Sequence, residues 1–157
     1  MSELSHVNKD GKTKMVDITG KADTARYATV SAKVLLNLKT FQLIKDNQIG
    51  KGDVLNVAKL AGIQAAKKTA ELIPLCHPLP LTHIDIDFTL NDKKHTILIT
   101  ATCKTKAPTG VEMEAFIACS ISAVTIYDMV KAVQKDVVIT DIMLLEKSGG
   151  KSGEFRR

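Results

Sequence analysis

The segment from Val111 to about Lys135 constrains the fold more than any other part of the chain. It is helical in character, and apolar residues occupy nearly every face through its middle. A helix that is apolar on all sides is buried, often between partners. Its small residues permit a second helix to approach closely: Ala115, Ala118, Cys119, Ser122 and Ala123. We therefore expect this helix to be buried rather than to lie on the surface.

Alternation of apolar and polar residues predicts the strands. The first predicted strand is Tyr27–Leu36, in which every second residue is apolar from Ala28 onward. Two more strands, 82–90 and 95–105, are separated by a polar turn and predict an antiparallel hairpin. A last strand is predicted over Val137–Leu145.

Two helices are predicted between the first strand and the hairpin. A short one covers Leu38–Asp46, and Asp53 is a candidate N-cap for a second helix of about 18 residues. The apolar face expected of this second helix consists of Leu55, Ala58, Ala61, Ala65 and Leu72. The order β-α-α-β-β-α-β predicts an α+β fold, ferredoxin-like, with a mostly antiparallel sheet and helices packed on one face.

Length and composition predict one soluble domain. The chain has 157 residues, enough for one buried core, and residues 1–14 read as a disordered N-terminal lead. No apolar run is expected to approach the ~20 residues that span a bilayer, and the N-terminus does not resemble a secretory signal. Three cysteines without a CxxC pair favour buried thiols in a reducing cytoplasm. A net charge of +5 fits either an anionic ligand or a solvated basic surface.

Four charged residues interrupt the long apolar helix: Glu112, Glu114, Asp128 and Lys131. Glu114 and Asp128 are 14 residues apart, so they share a helix face but lie about 21 Å from each other along the axis. Either one of them is structural, or a site is built from two subunits that each contribute one end. Asp128 and Lys131 can pair as i,i+3 neighbours, in a site or in an ordinary surface salt bridge.

Two short segments are further candidates, and each has an ordinary structural alternative. His77 lies between prolines, which favours a fixed orientation for proton transfer but also fits a histidine that satisfies a buried turn. A Cys76–His77 nucleophilic pair is disfavoured because neighbours in an extended segment point to opposite sides. Lys51, between two glycines before a helix, can approach an anion or be part of a plain turn.

The remaining motifs argue against a Walker A loop and against a metal site. The segment Lys147–Gly153 contains GKS, but it lacks the first glycine and the following helix of a Walker A loop. It is either a lysine-bearing phosphate contact or a solvated tail. The four histidines are far apart and share no metal-ligand spacing, so we expect no metal held by the protein.

The chain carries a combination of motifs that is specific to one enzyme family: MVDITGKADTARYATV at 15–30, KGDVLNVAKLAGIQAAKKT at 51–69, LIPLCHPL at 72–79, TGVEMEA at 109–115, TIYDMVKAVQKD at 125–136 and LLEKSGGKSG at 144–153. It resembles the cyclic pyranopterin monophosphate synthase family, also called the molybdenum cofactor biosynthesis protein C or MoaC family. The resemblance covers nearly the whole chain from Met15 onward.

The resemblance implies a lyase that acts on a 3′,8-cyclised dihydroguanosine triphosphate. Such enzymes rearrange the guanine portion into a pyranopterin, close a cyclic phosphate and release pyrophosphate. Residues 15–157 are then a single catalytic domain of a cytoplasmic homo-oligomer, a hexamer built as a trimer of dimers with the active site at the dimer interface. The resemblance implies no cofactor held by the protein, although Mg²⁺ can arrive with the triphosphate.

The resemblance also assigns site residues. It implies that Asp128, Lys131 and Lys51 are catalytic, and we expect a cationic cluster to lower the pKa of the lysines. The residues implied to bind substrate are Leu75, Cys76, His77, Glu112, Met113, Glu114, Arg26 and Lys147. Ala107 and Pro108 depart from the basic or glycine-rich approach expected before TGVEMEA, which puts a phosphate contact there in doubt.

Two other functions are weighed against this one. A non-catalytic nucleotide-binding sensor could use a similar basic pocket, but it would have no need for a carboxylate–lysine pair inside an apolar helix. An RNA-binding domain fits the β-α order and the basic charge, but the strands lack the paired aromatic residues that stack on bases. We therefore expect no nucleic-acid partner and no membrane partner.

Overall fold

One antiparallel sheet organises the part of the chain that the computed structural model describes, which is residue 7 and residues 10–151 and 153–157. Its strands are β1 (Thr24–Leu35), β2 (Leu81–Asn91), β3 (Thr96–Ala107), β4 (Val138–Ser148) and β5 (Phe155–Arg156). They lie in the order β2-β3-β1-β4-β5, and every neighbouring pair is antiparallel.

The helices are α1 (Leu38–Lys45), α2 (Val54–Ala66), α3 (Thr69–Leu72) and α4 (Glu112–Val130). One helical connection joins β1 to β2, and α4 joins β3 to β4, so the first four strands follow a β-α-β-β-α-β plan. The predicted α+β fold with a mostly antiparallel sheet is confirmed, and its strand order agrees with a ferredoxin-like outline.

The alternation in β1 produces one fully buried face of the sheet. Ala28, Val30, Ala32 and Val34 have no solvent exposure, as predicted. Their partners across β3 are equally buried: Cys103, Ala101, Ile99 and Ile97. Helix α4 packs against β1, β3 and β4, so the core lies between this helix and the sheet.

Helix α4 is buried as predicted, but it is shorter than predicted. It ends at Val130 rather than near Lys135, because the amides of Val133 and Gln134 both donate to the carbonyl of Val130 and close a tight turn. The expectation that no apolar run approaches membrane-spanning length is also wrong by length and composition, because α4 has 19 residues and is apolar enough to cross a membrane. Half of its most apolar stretch is buried inside the protein and it packs on the sheet, as a core helix does.

The second predicted helix is two helices. The first of them ends at Ala66, where the Thr69 hydroxyl donates to the Ala66 carbonyl at 2.9 Å and the Lys68 amide donates to the Ala65 carbonyl. The predicted apolar face is wrong in part, since Leu72 is 54% exposed. The buried row is instead Val54, Ala58, Gly62 and Ala66, a four-residue repeat whose small members let α2 pack closely on α4.

Two predictions at the chain ends were incomplete. Strand β4 continues to Ser148, beyond the predicted Leu145, because it pairs with β1 as far as Tyr27. The segment Lys147–Gly153, interpreted as either a phosphate contact or a solvated tail, begins in β4 and is followed by β5, whose Phe155 pairs with Lys147. Of the predicted lead 1–14, the structure describes residue 7 and residues 10–14. Residues 1–6, 8 and 9 lie outside the described residues.

Gly62→Ala tests how closely α2 and α4 approach. A methyl group at Gly62 would lie 2.2 Å from the Ser122 hydroxyl and 2.7 Å from the main-chain oxygen of Ala118. We expect a net loss of roughly 1–3 kcal/mol in the free energy of unfolding, because this overlap outweighs the helix propensity that alanine adds. Urea unfolding measures it, with Gly50→Ala as the control, since nothing lies within 4 Å of a methyl group there. Equal stability of parent and Gly62→Ala would show that the helices are further apart.

Candidate active site

The packing of α2 on α4 brings Lys51 to Asp128. The Ser122 hydroxyl donates to the carbonyl of Ala58, and Gly62 lies against Ala118, so the two helices run antiparallel. Continuing that register toward the start of α2 leads to the C-terminal end of α4. Lys51 lies in the turn before α2, and it therefore reaches the last turns of α4.

Lys51, Asp128 and Lys131 form what we call the lysine–aspartate cluster. The Lys51 ammonium lies 3.0 Å from Asp128 Oδ2 and donates to the Asp128 carbonyl at 2.7 Å. The Lys131 ammonium lies 2.7 Å from Asp128 Oδ1. The three side chains are each about half exposed, at 45–53% of their surface. Because the last carbonyls of a helix lack partners within it, the Lys51 cation also stabilises the end of α4.

The pKa shifts in the cluster differ from the prediction. Hydrogen bonds from Lys131 and then Lys51 hold the pKa of Asp128 below its usual range. In turn, the hydrogen bond with Asp128 raises the pKa of Lys131. The expectation that a cationic cluster lowers the lysine pKa is therefore wrong for Lys131, because the carboxylate lies between the two ammonium groups.

A pocket of about 1060 Å³ lies around the other end of α4. Every residue that the sequence predicted to bind substrate lines it: Arg26, Leu75, Cys76, His77, Glu112, Met113, Glu114 and Lys147. They come from β1, the proline-rich loop after α3, the first turn of α4 and the end of β4. The fold thus gathers these residues in one place, while their roles stay predictions.

The pocket is lined by more cations than carboxylates. Its cations are Lys21, Arg26, Lys147 and Lys151, and its carboxylates are Glu112 and Glu114. The Lys147 ammonium donates to Glu112 Oε1 at 2.7 Å, with both side chains about a quarter exposed. Such a lining suits a ligand that carries several negative charges together with N–H donors.

Burial controls the acids and thiols of the pocket. Glu114 is only 4% exposed, and its burial raises the pKa from 4.5 to about 6. The neighbouring charge of Glu112 adds to that shift. Burial, followed by the charge of Glu114, also raises the pKa of the Cys76 thiol. Cys76 and His77 line the same pocket, but a thiol that resists ionisation is a poor nucleophile, so the structure gives no support to a Cys–His pair.

Glu114→Gln should change how stability depends on pH. The raised pKa means that Glu114 stabilises the fold fully below about pH 4.5, and that this contribution is lost as pH rises through about 6. Gln does not ionise and so does not lose stability in this way. We therefore expect the free energy of unfolding of the variant to rise by about 2 kcal/mol relative to that of the parent between pH 4 and pH 7. Urea unfolding at several pH values measures this difference. A difference that does not change with pH would mean that Glu114 titrates normally.

The two groups of residues do not meet within one chain. Glu114 lines the pocket and Asp128 belongs to the cluster, and both lie on the unbroken helix α4. A rise of ~1.5 Å per residue separates them by about 21 Å. None of the three cluster residues lines the pocket that the described residues form. The sequence-based alternative of a site shared between subunits therefore stays open on geometric grounds.

Sequence analysis missed part of the pocket lining. Lys21 and Lys151 contribute two cations, and Pro108, Thr109 and Gly110 line the pocket where a contact was in doubt. The segment that contains Lys151 was interpreted as either a phosphate contact or a solvated tail, because nothing in the local pattern distinguishes the two. Lys21 carried no signal, since it lies in an irregular segment.

Two further points concern the effect of His77 on Asp17 and whether the described residues could hold a metal ion. Hydrogen bonds from Thr19 lower the pKa of Asp17, and His77 adds a smaller electrostatic effect in the same direction. In the described part of the chain, no three His, Cys, Asp or Glu residues are grouped closely enough to hold a metal ion.

Comparison with known proteins identifies relatives over almost the whole chain. The model of the MoaC family matches residues 15–150. A cyclic pyranopterin monophosphate synthase of Heliobacterium modesticaldum is 52% identical, with the alignment covering 100% of this chain and 99% of that protein. A protein of the same description from Geobacillus kaustophilus is 53% identical, and the alignment covers 100% of this chain and 98% of it.

Longer relatives match this chain over only part of their own length. Molybdenum cofactor biosynthesis protein 1 of Homo sapiens is 48% identical over 99% of this chain. The chain spans only 24% of that human protein and 24% of the mouse protein of the same description.

Proposed function

The chain belongs to the MoaC family, and from that membership we propose that it is a lyase of molybdenum cofactor biosynthesis. It converts 3′,8-cyclised dihydroguanosine triphosphate to cyclic pyranopterin monophosphate and releases pyrophosphate. Bacterial relatives described as cyclic pyranopterin monophosphate synthases match this chain over their full length, which supports the proposal.

The composition of the pocket is the observation that carries the proposal. A triphosphate needs several cations, and the pocket has four of them along its lining. A guanine-derived ring presents N–H groups, and Glu112 and Glu114 are the carboxylate acceptors in the described lining. Glu114 is buried, so its hydrogen bonds to a ring would be shielded from water.

The lysine–aspartate cluster is proposed to move protons. Opening and rebuilding the ring requires several proton transfers, and both lysines hold transferable protons beside one carboxylate. Asp128 orients the two ammonium groups and stays ionised near neutral pH because its pKa is lowered. Lys131, with a raised pKa, stays protonated in the resting enzyme, so it holds a proton to donate but is a weaker acid than a free lysine. Lys51 is the second candidate acid or base.

We propose that two copies of the chain complete each site. A stripe on the outer face of α4, apolar except for Ser120, joins the pocket end to the cluster end: Met113, Ile117, Ser120 and Val124. Val124 is 52% exposed, although it lies in the middle of the helix. If two copies pack these stripes antiparallel about a two-fold axis, the cluster of one lies beside the pocket of the other.

The wider assembly follows from the family resemblance. We propose a hexamer, built as a trimer of dimers, that works in the cytoplasm without a nucleic-acid partner. Any Mg²⁺ would enter with the triphosphate, since phosphate oxygens are the ligands that this ion prefers.

A direct assay tests the proposed reaction. The purified protein is incubated with the cyclised guanosine triphosphate, and pyrophosphate and the cyclic phosphate product are measured together. We expect stoichiometric formation of both, and no pyrophosphate from ordinary GTP. Tight binding of the cyclised nucleotide without either product would contradict the enzyme and favour a non-catalytic nucleotide-binding sensor.

A further inference from the structure

The Arg26 side chain is held by main-chain carbonyls from two separate segments. Its Nε donates to Ala107 at 3.0 Å, and one terminal nitrogen donates to Pro108 at 3.2 Å. The other terminal nitrogen donates to Gly149 at 3.5 Å. Arg26 therefore joins the end of β3 to the turn that follows β4, across distances in sequence of 81 to 123 residues.

The turn after β4 is shaped around this guanidinium. Gly149 and Gly150 have φ values of +99° and +76°, in the region that favours glycine. A methyl group at Gly150 would lie 2.1 Å from Arg26 Nη1, and one at Gly149 would lie 2.3 Å from the carbonyl of Ala25. Both glycines thus provide the close approach that lets the turn pack on Arg26.

The turn carries cations on both sides. Lys147 precedes it at the end of β4, Lys151 follows it, and both line the pocket. Arg26 itself has five N–H groups, and three of them are used by the carbonyls. Lys147 is already placed by the pairing of β4 with β1 and by its contact with Glu112. The position of Arg26 therefore bears on Lys151, which follows the turn.

We propose that Arg26 is a positioning residue that fixes the Gly149–Gly150 turn and thereby directs Lys151 toward the anionic part of the ligand. This inference rests on the proposed function only for the identity of that ligand as a polyphosphate. Arginine is required because its planar fork donates in several fixed directions at once, whereas lysine presents a single ammonium on a flexible stem.

Arg26→Lys separates positioning from charge. We expect it to weaken the binding of inorganic tripolyphosphate by on the order of tenfold, as much as Arg26→Ala does, because the fork is lost in both. Titration calorimetry measures this. In turnover, both variants should raise KM and leave kcat within about threefold, since neither alters a group that reacts. Parent-like binding by Arg26→Lys would show that Arg26 acts through charge alone and would overturn the proposal.

A double-mutant cycle with Gly150→Ala tests the contact itself. In the parent, the added methyl group meets the guanidinium, and we expect binding of tripolyphosphate to fall several-fold. In the Arg26→Ala background the same change should have little effect, because the obstructing group is gone. Gly153→Ala is the matched control, since φ there is also positive, at +68°, and nothing lies within 4 Å of a methyl group. Equal effects of Gly150→Ala in both backgrounds would overturn the contact.

Hydrogen exchange distinguishes failure of this inference from failure of the proposed function. If the parent does not bind tripolyphosphate, the polyphosphate site is wrong, but the turn can still be examined. Positioning by Arg26 predicts faster amide exchange at residues 149–151 in Arg26→Lys, with unchanged exchange in α4. Unchanged exchange at the turn would overturn the positioning role whatever the ligand is.

Discussion

An Asp128→Asn variant is expected to lose at least about 100-fold in kcat while it folds and melts like the parent. Asp128 lies on an exposed turn of α4, so its carboxylate contributes little to stability. It is, however, the group that both Lys51 and Lys131 contact. Asn has nearly the same shape but no charge, so it cannot hold two ammonium groups together. Single-turnover kinetics with the cyclised nucleotide measures the loss of the chemical step.

The pH profile of that variant provides a second readout. Asp128 raises the pKa of Lys131 through a hydrogen bond, so removing the charge should lower the pKa of Lys131. In the variant, Lys131 should therefore lose its proton at a lower pH than in the parent, and any remaining activity should fall with it. The basic limb of the rate profile should move in that direction.

Asp141→Asn is the matched control for Asp128→Asn. Asp141 is also an exposed aspartate paired with a lysine, with its carboxylate 2.9 Å from the Lys33 ammonium. Its pKa is lowered by that lysine in the same way. Neither Asp141 nor Lys33 lines the pocket or belongs to the cluster, and we expect the variant to keep parental kcat. Equal loss in both variants would show that the effect is not specific to the cluster.

The core was predictable from sequence because it depends on local patterns. The alternation that begins at Ala28 identified the buried face of β1, and all four of its apolar members are fully buried. The apolar surface of α4 identified the central helix. Both signals reflect burial on one side of a regular element, which repeats at a period that the sequence displays directly.

The errors in the fold arose where tertiary contacts decide the structure. The second helix breaks at Ala66 because a hydroxyl and an amide close a turn there, and no proline or glycine marks that position. Its buried row includes Gly62 rather than Leu72 because α4 lies against it. Strand β5 was missed because two paired residues are too short to show a pattern.

For the site, the sequence motifs predicted which residues line one pocket. They did not predict the pKa shift of Lys131 or the hydrogen bonds of Arg26. The residues assigned to substrate by resemblance all line one pocket. The helix rise predicted that Glu114 and Asp128 lie about 21 Å apart, so that either one of them is structural or a site is shared between subunits. The pKa of Lys131 was predicted in the wrong direction, because the sequence does not show that Asp128 lies between the two lysines. Nor does it show that Arg26 uses three of its donors on main-chain carbonyls.

A site made from two copies makes a strong prediction for mixed oligomers. One variant, Asp128→Asn, has a defective cluster and an intact pocket. The other, Glu112→Gln combined with Glu114→Gln, has a pocket without carboxylates and an intact cluster. In a dimer of the two, the pocket of the first meets the cluster of the second, so one of its two sites contains every group.

Subunit mixing is therefore the measurement that tests the composite site most directly. The two variants are co-expressed with different affinity tags, and pyrophosphate release is compared with that of each variant alone. Each variant alone should be nearly inactive, whereas the random mixture should recover about one quarter of parental activity, since about half of its dimers are mixed and half of their sites are intact. A mixture no more active than its separate components would place pocket and cluster in different sites and contradict the account.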